Sequence, residues 1–589
     1  LSADLTGDTN TINVDRETET GTSGRYTIKG SQGIDIIKGG AGADIITGNG
    51  GDDVIDGMED ADNINGGAGA DTITGGVGVD IITGGTGNDI AVYTNEDHLF
   101  VAGAVASGGG AGVIVDTINL GEEVGDADAI KLNAASFTIA ADNDFGGNIG
   151  VEKIIAGDAT GNISITLHAH AHADGITTVD LSGDTETGDT NTIDVSAEDE
   201  PSRGFTLIGN GDTDTITGGA GDDTITPGGD TLAETLTGNG GNDTFSYSST
   251  TSLNNGNAFR DTIVGGSGTD DSIKLTAASG NTVALEVGTT WATKVSGIEE
   301  ISAGPSAGNV NVAVHNNAYE DGLRRIDLSG DTTAGGTNII DASGEDGANA
   351  YTLIGTASND TIKGGAGGDT IEGGLGDDTI TGGAGIDTID LSESTSGADI
   401  VILMQGAADN ATGVALNRNV NHRDNITGFT TGTDHIKLQT IGSDHTTAAG
   451  SAAVTATTNV ASTLLTAAGA FNWTANDNAG QAKNTGALDL LLFTNGNETD
   501  ADLSAATDGS QLYIYFGNAT NNAANKFTVS GAQDHFYVAA VDNGVTYIYN
   551  VLENAGGDNG VATEVLAADI NLIGTVNGTL NAATDLIMI

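Results

Sequence analysis

An aspartate returns at every ninth residue near the start of this chain. From Gly30 the sequence reads GSQGIDIIK, GGAGADIIT, GNGGDDVID, GMEDADNIN, GGAGADTIT, GGVGVDIIT and GGTGNDIAV, which places Asp35, Asp44, Asp53, Asp62, Asp71, Asp80 and Asp89 in strict register. A second block carries Asp214, Asp223 and Asp243, with a longer turn from Pro227 to Thr237 that puts Glu234 in the acidic place, followed by Asp261 and Asp270. A third carries Asp360, Asp369, Asp378 and Asp387. Stacked units would align the carboxylates beside glycine turns whose backbone carbonyls are unpaired. Carboxylate and carbonyl oxygens are the donors that a hard cation such as Ca²⁺ takes, whereas Mg²⁺ demands near-octahedral geometry and gives up water reluctantly. Without a cation, a file of like charges a few ångströms apart would repel itself.

The elements that must hold these residues follow from the rest of each unit. Glycines permit positive φ and close backbone approach in a tight turn, and the D-x-Ile/Val-x half is β-favouring with one large apolar side chain. Each unit is therefore expected to be a turn and a short strand. A period of nine repeats one side-chain direction, so Ile37, Ile46, Ile55, Ile64, Ile73 and Ile82 are expected to form one apolar ladder as the core.

Composition narrows the function. With 18 Lys+Arg against 82 Asp+Glu in 589 residues, the formal net charge is −64, a field that repels phosphate backbones and anionic headgroups and attracts cations. Nucleic-acid binding and direct membrane insertion are excluded on this ground and by the absence of any apolar run near the roughly 18 residues of a membrane helix. Gly at 93 is about twice its usual share, and Pro at 3 argues against collagen or a Pro-rich linker. The absence of Cys rules out disulfides, thiolate metal sites and thiol nucleophiles. The start at Leu1, with no initiator Met or signal peptide, reads as an internal or processed start.

The chain also repeats on a larger scale. GITTVDLSGDTETGDTNTIDVS from Gly175 matches GLRRIDLSGDTTAGGTNIIDAS from Gly322, and TNTINV from Thr9 is a shorter copy; each leads into a block through Tyr26, Phe205 or Tyr351. Closing segments follow from Asp116, Arg260 and Arg423, and VEKIIAG (151–157) and GIEEISAG (297–304) lie between modules. Alternating segments such as Asn162–Leu167 and Asn309–Val314 argue for strands. The expected divisions are 1–150 (roll about 30–92), 151–296 (roll about 205–275), 297–445 (roll about 351–392) and a β-rich 446–589. In the last, Gln511–Phe516 and Val545–Val551 read as strands and Ala452–Phe471 as helical.

The tandem G-G-x-G-x-D-x-(Ile/Val/Leu)-x pattern resembles the RTX (repeats-in-toxin) nonapeptide, whose fold is a right-handed parallel β-roll with Ca²⁺ between successive turns. The resemblance implies an all-β chain in which the aspartates of the three blocks are ligands, completed by carbonyls of turns such as Gly39–Gly42 and Gly66–Gly69, and by Gly75, Gly78, Gly218, Gly221, Gly364, Gly373 and Gly382. Met58, Glu59 and Asp60 break the glycine pattern, and Pro227–Thr237 breaks the length. The arrangement of G-I-E-x-I, alternating strand, D-L-S-G-D and nonapeptide block looks like the C-terminal part of RTX-type bacterial surface-layer proteins. The final ATDLIMI resembles the uncleaved C-terminal signals of type I secreted proteins, and also reads as an ordinary last strand.

Other chemistry finds less support. His168, His170 and His172 alternate with Ala and would share one face of a strand, but the aligned copy keeps only His315 and has Asn317 and Tyr319 at the other two places. That is the pattern of a tolerant polar face, and the sequence leaves metal binding there open. H-E-x-x-H and G-K-[ST] are absent and no G-x-S-x-G is read as a nucleophile elbow, so no catalytic residue is assigned and the part seen is read as no enzyme. Together these features describe a calcium-folded structural subunit of an extracellular bacterial surface layer, exported by a type I route. Its expected partners are other copies of itself and a cell-surface polysaccharide engaged through a region outside this sequence. The rival readings are the stalk of a large RTX adhesin and the tail of a secreted hydrolase.

Overall fold

The computed structural model describes residues 9–14, 24–99, 116–121, 126–133, 137–139, 150–157, 161–167, 171–172, 175–229, 231–249, 253, 259–276, 283–286, 291–305, 308–315, 317–333, 335–345, 347–394, 397–403, 423–438, 490–493, 535–542, 545–552, 570–578, 580 and 585–588. Nearly all regular structure in them is β, in parallel sheets; the three helices among these residues, Glu96–Leu99, Trp291–Lys294 and Asn317–Glu320, span one turn each. No helix among them is long and apolar enough to cross a membrane. The chain divides into two compact units, the first formed mainly by 1–276 and the second mainly by 324–589.

In the first unit each nonapeptide makes half a turn of a roll. Asp35–Gly40 pairs in parallel with Val54–Glu59, and Ile45–Gly50 with Asn63–Ala68, so the neighbour in a sheet is eighteen residues away. The isoleucines therefore form two ladders, which corrects the single ladder expected from the period. Ile37, Ile55 and Ile73 continue into Ala91 in one sheet, while Ile28, Ile46, Ile64, Ile82 and Ile118 line the other. The reason is geometric: nine residues supply one turn and one strand, and a closed coil needs two of each. All of these side chains are buried, each isoleucine stabilising the roll by roughly 1.5–3 kcal/mol relative to exposure.

The first of these sheets does not stop at the end of the block. It passes from Ile90–Tyr93 through Ala129–Leu132, Lys153–Ala156, Thr178–Asp180 and Thr206–Ile208 into the second block, so the first two sequence modules stack within one unit. Opposite the second block lies a separate sheet from Phe137–Ile139 to Val295–Ser296. The second unit repeats the plan: Thr352–Ile354, Thr370–Glu372 and Thr388–Asp390 stack on one side, and Asn359–Lys363, Thr379–Thr381 and Ile400–Leu403 on the other.

The C-terminal region completes the second unit. Val545–Leu552 pairs antiparallel with His535–Asp542 and with Ile570–Asn577, and the last of these joins Asp424–Thr427 in parallel. The tail forms the strand Leu586–Met588 on His435–Leu438, with the Gly432 amide donating to Asp585 Oδ1 at 2.9 Å, so the final apolar residues extend the roll. The expected strand 511–516 and helix 452–471 lie outside the described residues.

One unit lacks the glycines of the motif yet keeps its register. Met58 aligns with Gly40 and Gly76 in the ladder, and Met58 and Asp60 take φ of +89° and +68°, the left-handed conformation that Gly76 adopts at +110°. Stacking overrides the local preference of these two side chains.

Candidate metal centre

Because the strands stack at intervals of eighteen residues, the aspartates stack too. The amide of Asp35 donates to Asp53 Oδ1, that of Asp53 to Asp71 Oδ1 and that of Asp71 to Asp89 Oδ1, at 2.7–2.8 Å. The other edge runs Asp44 to Asp62 to Asp80 to Asp116 in the same way. The second block follows with Phe205, Asp223, Asp243 and Asp271, and the third with Tyr351, Asp369, Asp387 and Asp424. Asp360, Asp378, Asp399 and Asp434 form the opposite edge of the third block. One carboxylate oxygen of each aspartate after the first of its column thus closes the backbone ladder.

The second oxygen separates these residues into classes. In the opening turns it accepts the amide four residues earlier: Ser31 to Asp35, Gly40 to Asp44, Asn210 to Asp214, Gly219 to Asp223, Thr356 to Asp360 and Gly365 to Asp369. Further along, Oδ2 of Asp53, Asp62, Asp71, Asp80, Asp243, Asp271 and Asp387 is buried with no hydrogen-bond partner. A buried carboxylate oxygen with nothing to accept is costly and implies a missing positive partner.

That partner has a place. A Cβ built on Gly48 would lie 2.1 Å from Asp53 Oδ2 and 2.5 Å from the Gly66 carbonyl oxygen, so both oxygens converge over a bare Cα. Gly57 stands likewise between Asp62 Oδ2 and the Gly75 carbonyl, Gly355 between Asp360 Oδ2 and the Gly373 carbonyl, and Gly364 between Asp369 Oδ2 and the Gly382 carbonyl. Gly39 and Gly218 are cradles of the same kind, beside Asp44 and Asp223. Gly69, Gly78 and Gly221 stack instead on the carbonyls of Gly51, Asp60 and Arg203, and Gly42 is buried in its turn. An all-oxygen set of carboxylate and carbonyl donors that excludes side chains fits Ca²⁺.

The electrostatics agree. Burial pushes Asp53 up to about 6 and Asp62 and Asp71 up to about 7, and repulsion from neighbouring aspartates adds to it. Asp243 and Asp378 are pushed up to about 8 for the same reasons. The ion pairs Lys38–Asp56, Arg325–Asp327 and Lys363–Asp341 lie on the outside and use none of these aspartates.

Several expected ligands sit differently. Asp270 is exposed, and its neighbour Asp271 takes the ladder position, receiving the Asp243 amide at 2.7 Å; the longer turn 266–271 carries one more residue than the period provides. Asp261 closes its ladder by accepting the Glu234 amide through Oδ1 and the Tyr247 hydroxyl through Oδ2, which directs that oxygen away from a cation. Glu234 does replace an aspartate, accepting the Asp214 amide. Asp116, Asp128, Asp424 and Asp434, each before a short strand of a closing segment, and Asp399, before Ile400–Leu403, continue the ladders beyond the blocks. His168 and His170 lie outside the described residues, and the His172 ring packs edge-on against Phe205 at 5.5 Å.

Comparison with known proteins agrees with this geometry. The family model of the RTX calcium-binding nonapeptide repeat matches residues 20–55, 29–64, 56–91, 206–231 and 354–389. No curated protein and no solved structure matches the chain. The chain carries RTX repeats that bind multiple Ca²⁺ ions. The repeat region is structural and not catalytic.

Proposed function

We propose that this chain is a structural subunit of an extracellular bacterial surface layer, folding after export when calcium enters its turns and then associating with further copies of itself. The observation that carries the reading is the repetition of one cation-demanding step, an aspartate oxygen facing a turn carbonyl, through three blocks. Extracellular calcium modules bind near 10⁻⁴ to 10⁻³ M, so the acidic chain stays unfolded where calcium is scarce and folds where it is plentiful.

The surface supports self-association. Ile36 and Val54 are partners in register on the outer face of one sheet, 39% and 46% exposed, and Val77, Val79 and Ile81 are exposed further along the roll. Apolar side chains on a stiff, repeating face suit contacts that extend without closing. Each bound Ca²⁺ also removes two units from a net charge of −64 that holds chains apart.

Electron microscopy and light scattering across a calcium titration test this. Ordered sheets or growing assemblies at millimolar calcium support the layer subunit, and monodisperse monomers at high protein concentration favour the adhesin stalk or hydrolase tail.

A further inference from the structure

We propose that Asp126, Asp128 and Glu152, with the main-chain carbonyl of Gly85, form an additional divalent-cation site where the first nonapeptide block hands over to the strand Lys153–Ala156. None of the three acidic residues belongs to a nonapeptide, and the family match over the first block ends at residue 91. The proposal rests on the reading of the repeats as calcium-bearing and extends it to residues outside them.

Geometry brings the donors together. One ligand oxygen from each of Asp126, Asp128 and Glu152 lies within 4.8 Å of the others. Asp128 is fully buried, its Oδ1 accepts the Asp89 amide at 2.6 Å, and its Oδ2 has no hydrogen-bond partner. Glu152 Oε2 accepts the Asp128 amide at 2.8 Å, which fixes the glutamate against the aspartate. A glycine again leaves the space: a Cβ on Gly121, at φ +132°, would lie 2.7 Å from the Gly85 carbonyl oxygen, 3.6 Å from Asp128 Oδ2 and 3.8 Å from Asp126 Oδ2.

A buried oxygen with no donor, aimed among two further carboxylates, needs a positive charge more than it needs a proton donor. The charges acting on Asp128 are those of Asp89, Asp126 and Glu152, all negative. The donor set contains only oxygen, which selects a hard cation of the Ca²⁺ class over zinc or copper.

The second block provides an internal contrast. Asp271 and Glu299 reproduce the Asp128–Glu152 contact at 2.9 Å, but Thr269 stands two residues before Asp271 where the first block has Asp126. The three-carboxylate site is therefore a property of the first junction. It ties the closing segment to the following strand, so the column of ions continues past the last nonapeptide.

Long-wavelength anomalous diffraction from the calcium-loaded full chain tests the site. The expected result is a calcium peak about 2.3–2.6 Å from Asp128 Oδ2, present in the wild type and lost in Asp126→Asn/Glu152→Gln while the nonapeptide peaks remain. Should the double variant fail to fold, Asp126→Asn alone, at a half-exposed position, is expected to weaken the peak selectively. Peaks in the nonapeptide turns with none at Asp128, or a peak unchanged in the variants, would overturn this site and leave the calcium reading of the repeats intact. No peak anywhere would overturn both.

Discussion

The hydroxyl of Tyr93 donates to Asp116 Oδ2 at 3.0 Å, and twenty-three residues separate the two in sequence. Asp116 receives the Asp80 amide on its other oxygen, so the tyrosine ends that edge of the carboxylate column with a neutral donor instead of an ion. Tyr247 does the same for Asp261 at 2.7 Å. Both tyrosines lie four residues after a ladder aspartate, Asp89 or Asp243; the third block has Leu391 at that place after Asp387.

Removing this cap is expected to destabilise the calcium-loaded fold without changing the number of nonapeptide ions. Tyr93→Phe leaves a buried carboxylate oxygen unsatisfied, at a cost of about 1–3 kcal/mol. Thermal denaturation in saturating calcium should show a lower Tm for Tyr93→Phe, and an unchanged Tm would mean that the hydroxyl does not cap Asp116.

Aspartates of the same motif position are expected to differ in their need for calcium. Asp44 accepts the Tyr26 amide on Oδ1 and the Gly40 amide on Oδ2, whereas Asp71 Oδ2 has no partner. Asn can keep the ladder hydrogen bond at either place while losing the charge. Asp71→Asn should raise the calcium midpoint for folding several-fold and Asp44→Asn should move it little. Equal midpoints would contradict the division between opening and interior turns.

Register and conformation were legible to different depths. The period of nine, the turn-and-strand unit and the inward isoleucines could be read directly, because each is a local property. Whether a unit stacks on the unit nine or eighteen residues away could not, since both choices preserve side-chain direction; the half-turn geometry decides it. Asp270 and Asp271 are adjacent acids, and only the length of the turn before them selects the second. The Tyr93–Asp116 and Asp128–Glu152 contacts join segments outside the repeat, where no period predicts a neighbour.

Met58 carries a left-handed backbone at φ +89° in a column otherwise served by glycines. Met58→Gly is expected to relieve about 1–2 kcal/mol of that strain, offset in part by the greater freedom of glycine in the unfolded chain. Calcium-saturated melting should therefore shift upward for Met58→Gly. A fall in Tm would show that packing of the methionine side chain outweighs the strain.

The raised aspartate values set a pH dependence. Asp53, near 6, and Asp62, Asp71 and Asp369, near 7, hold protons in the calcium-free fold at pH values where the unfolded chain, titrating near 3.8, has lost them. The unfolded state binds fewer protons across this window, so calcium-free stability falls as pH rises from about 4 toward 7. Calcium replaces those protons, so it should abolish the decline and release protons on binding near pH 7. Circular dichroism with chelator and with calcium at several pH values checks the sign; a calcium-free strand signal that grows between pH 4 and 7 would refute it.

The central claim is that cations complete the carboxylate columns and that the rolls depend on them. Far-ultraviolet circular dichroism of the full chain, followed from chelator into millimolar calcium, addresses it most directly. The account predicts a largely unfolded spectrum in chelator, a cooperative gain of β signal as calcium is added, and its loss when chelator is returned. A calcium-free chain with the same strand signal and the same Tm as the loaded one would contradict it.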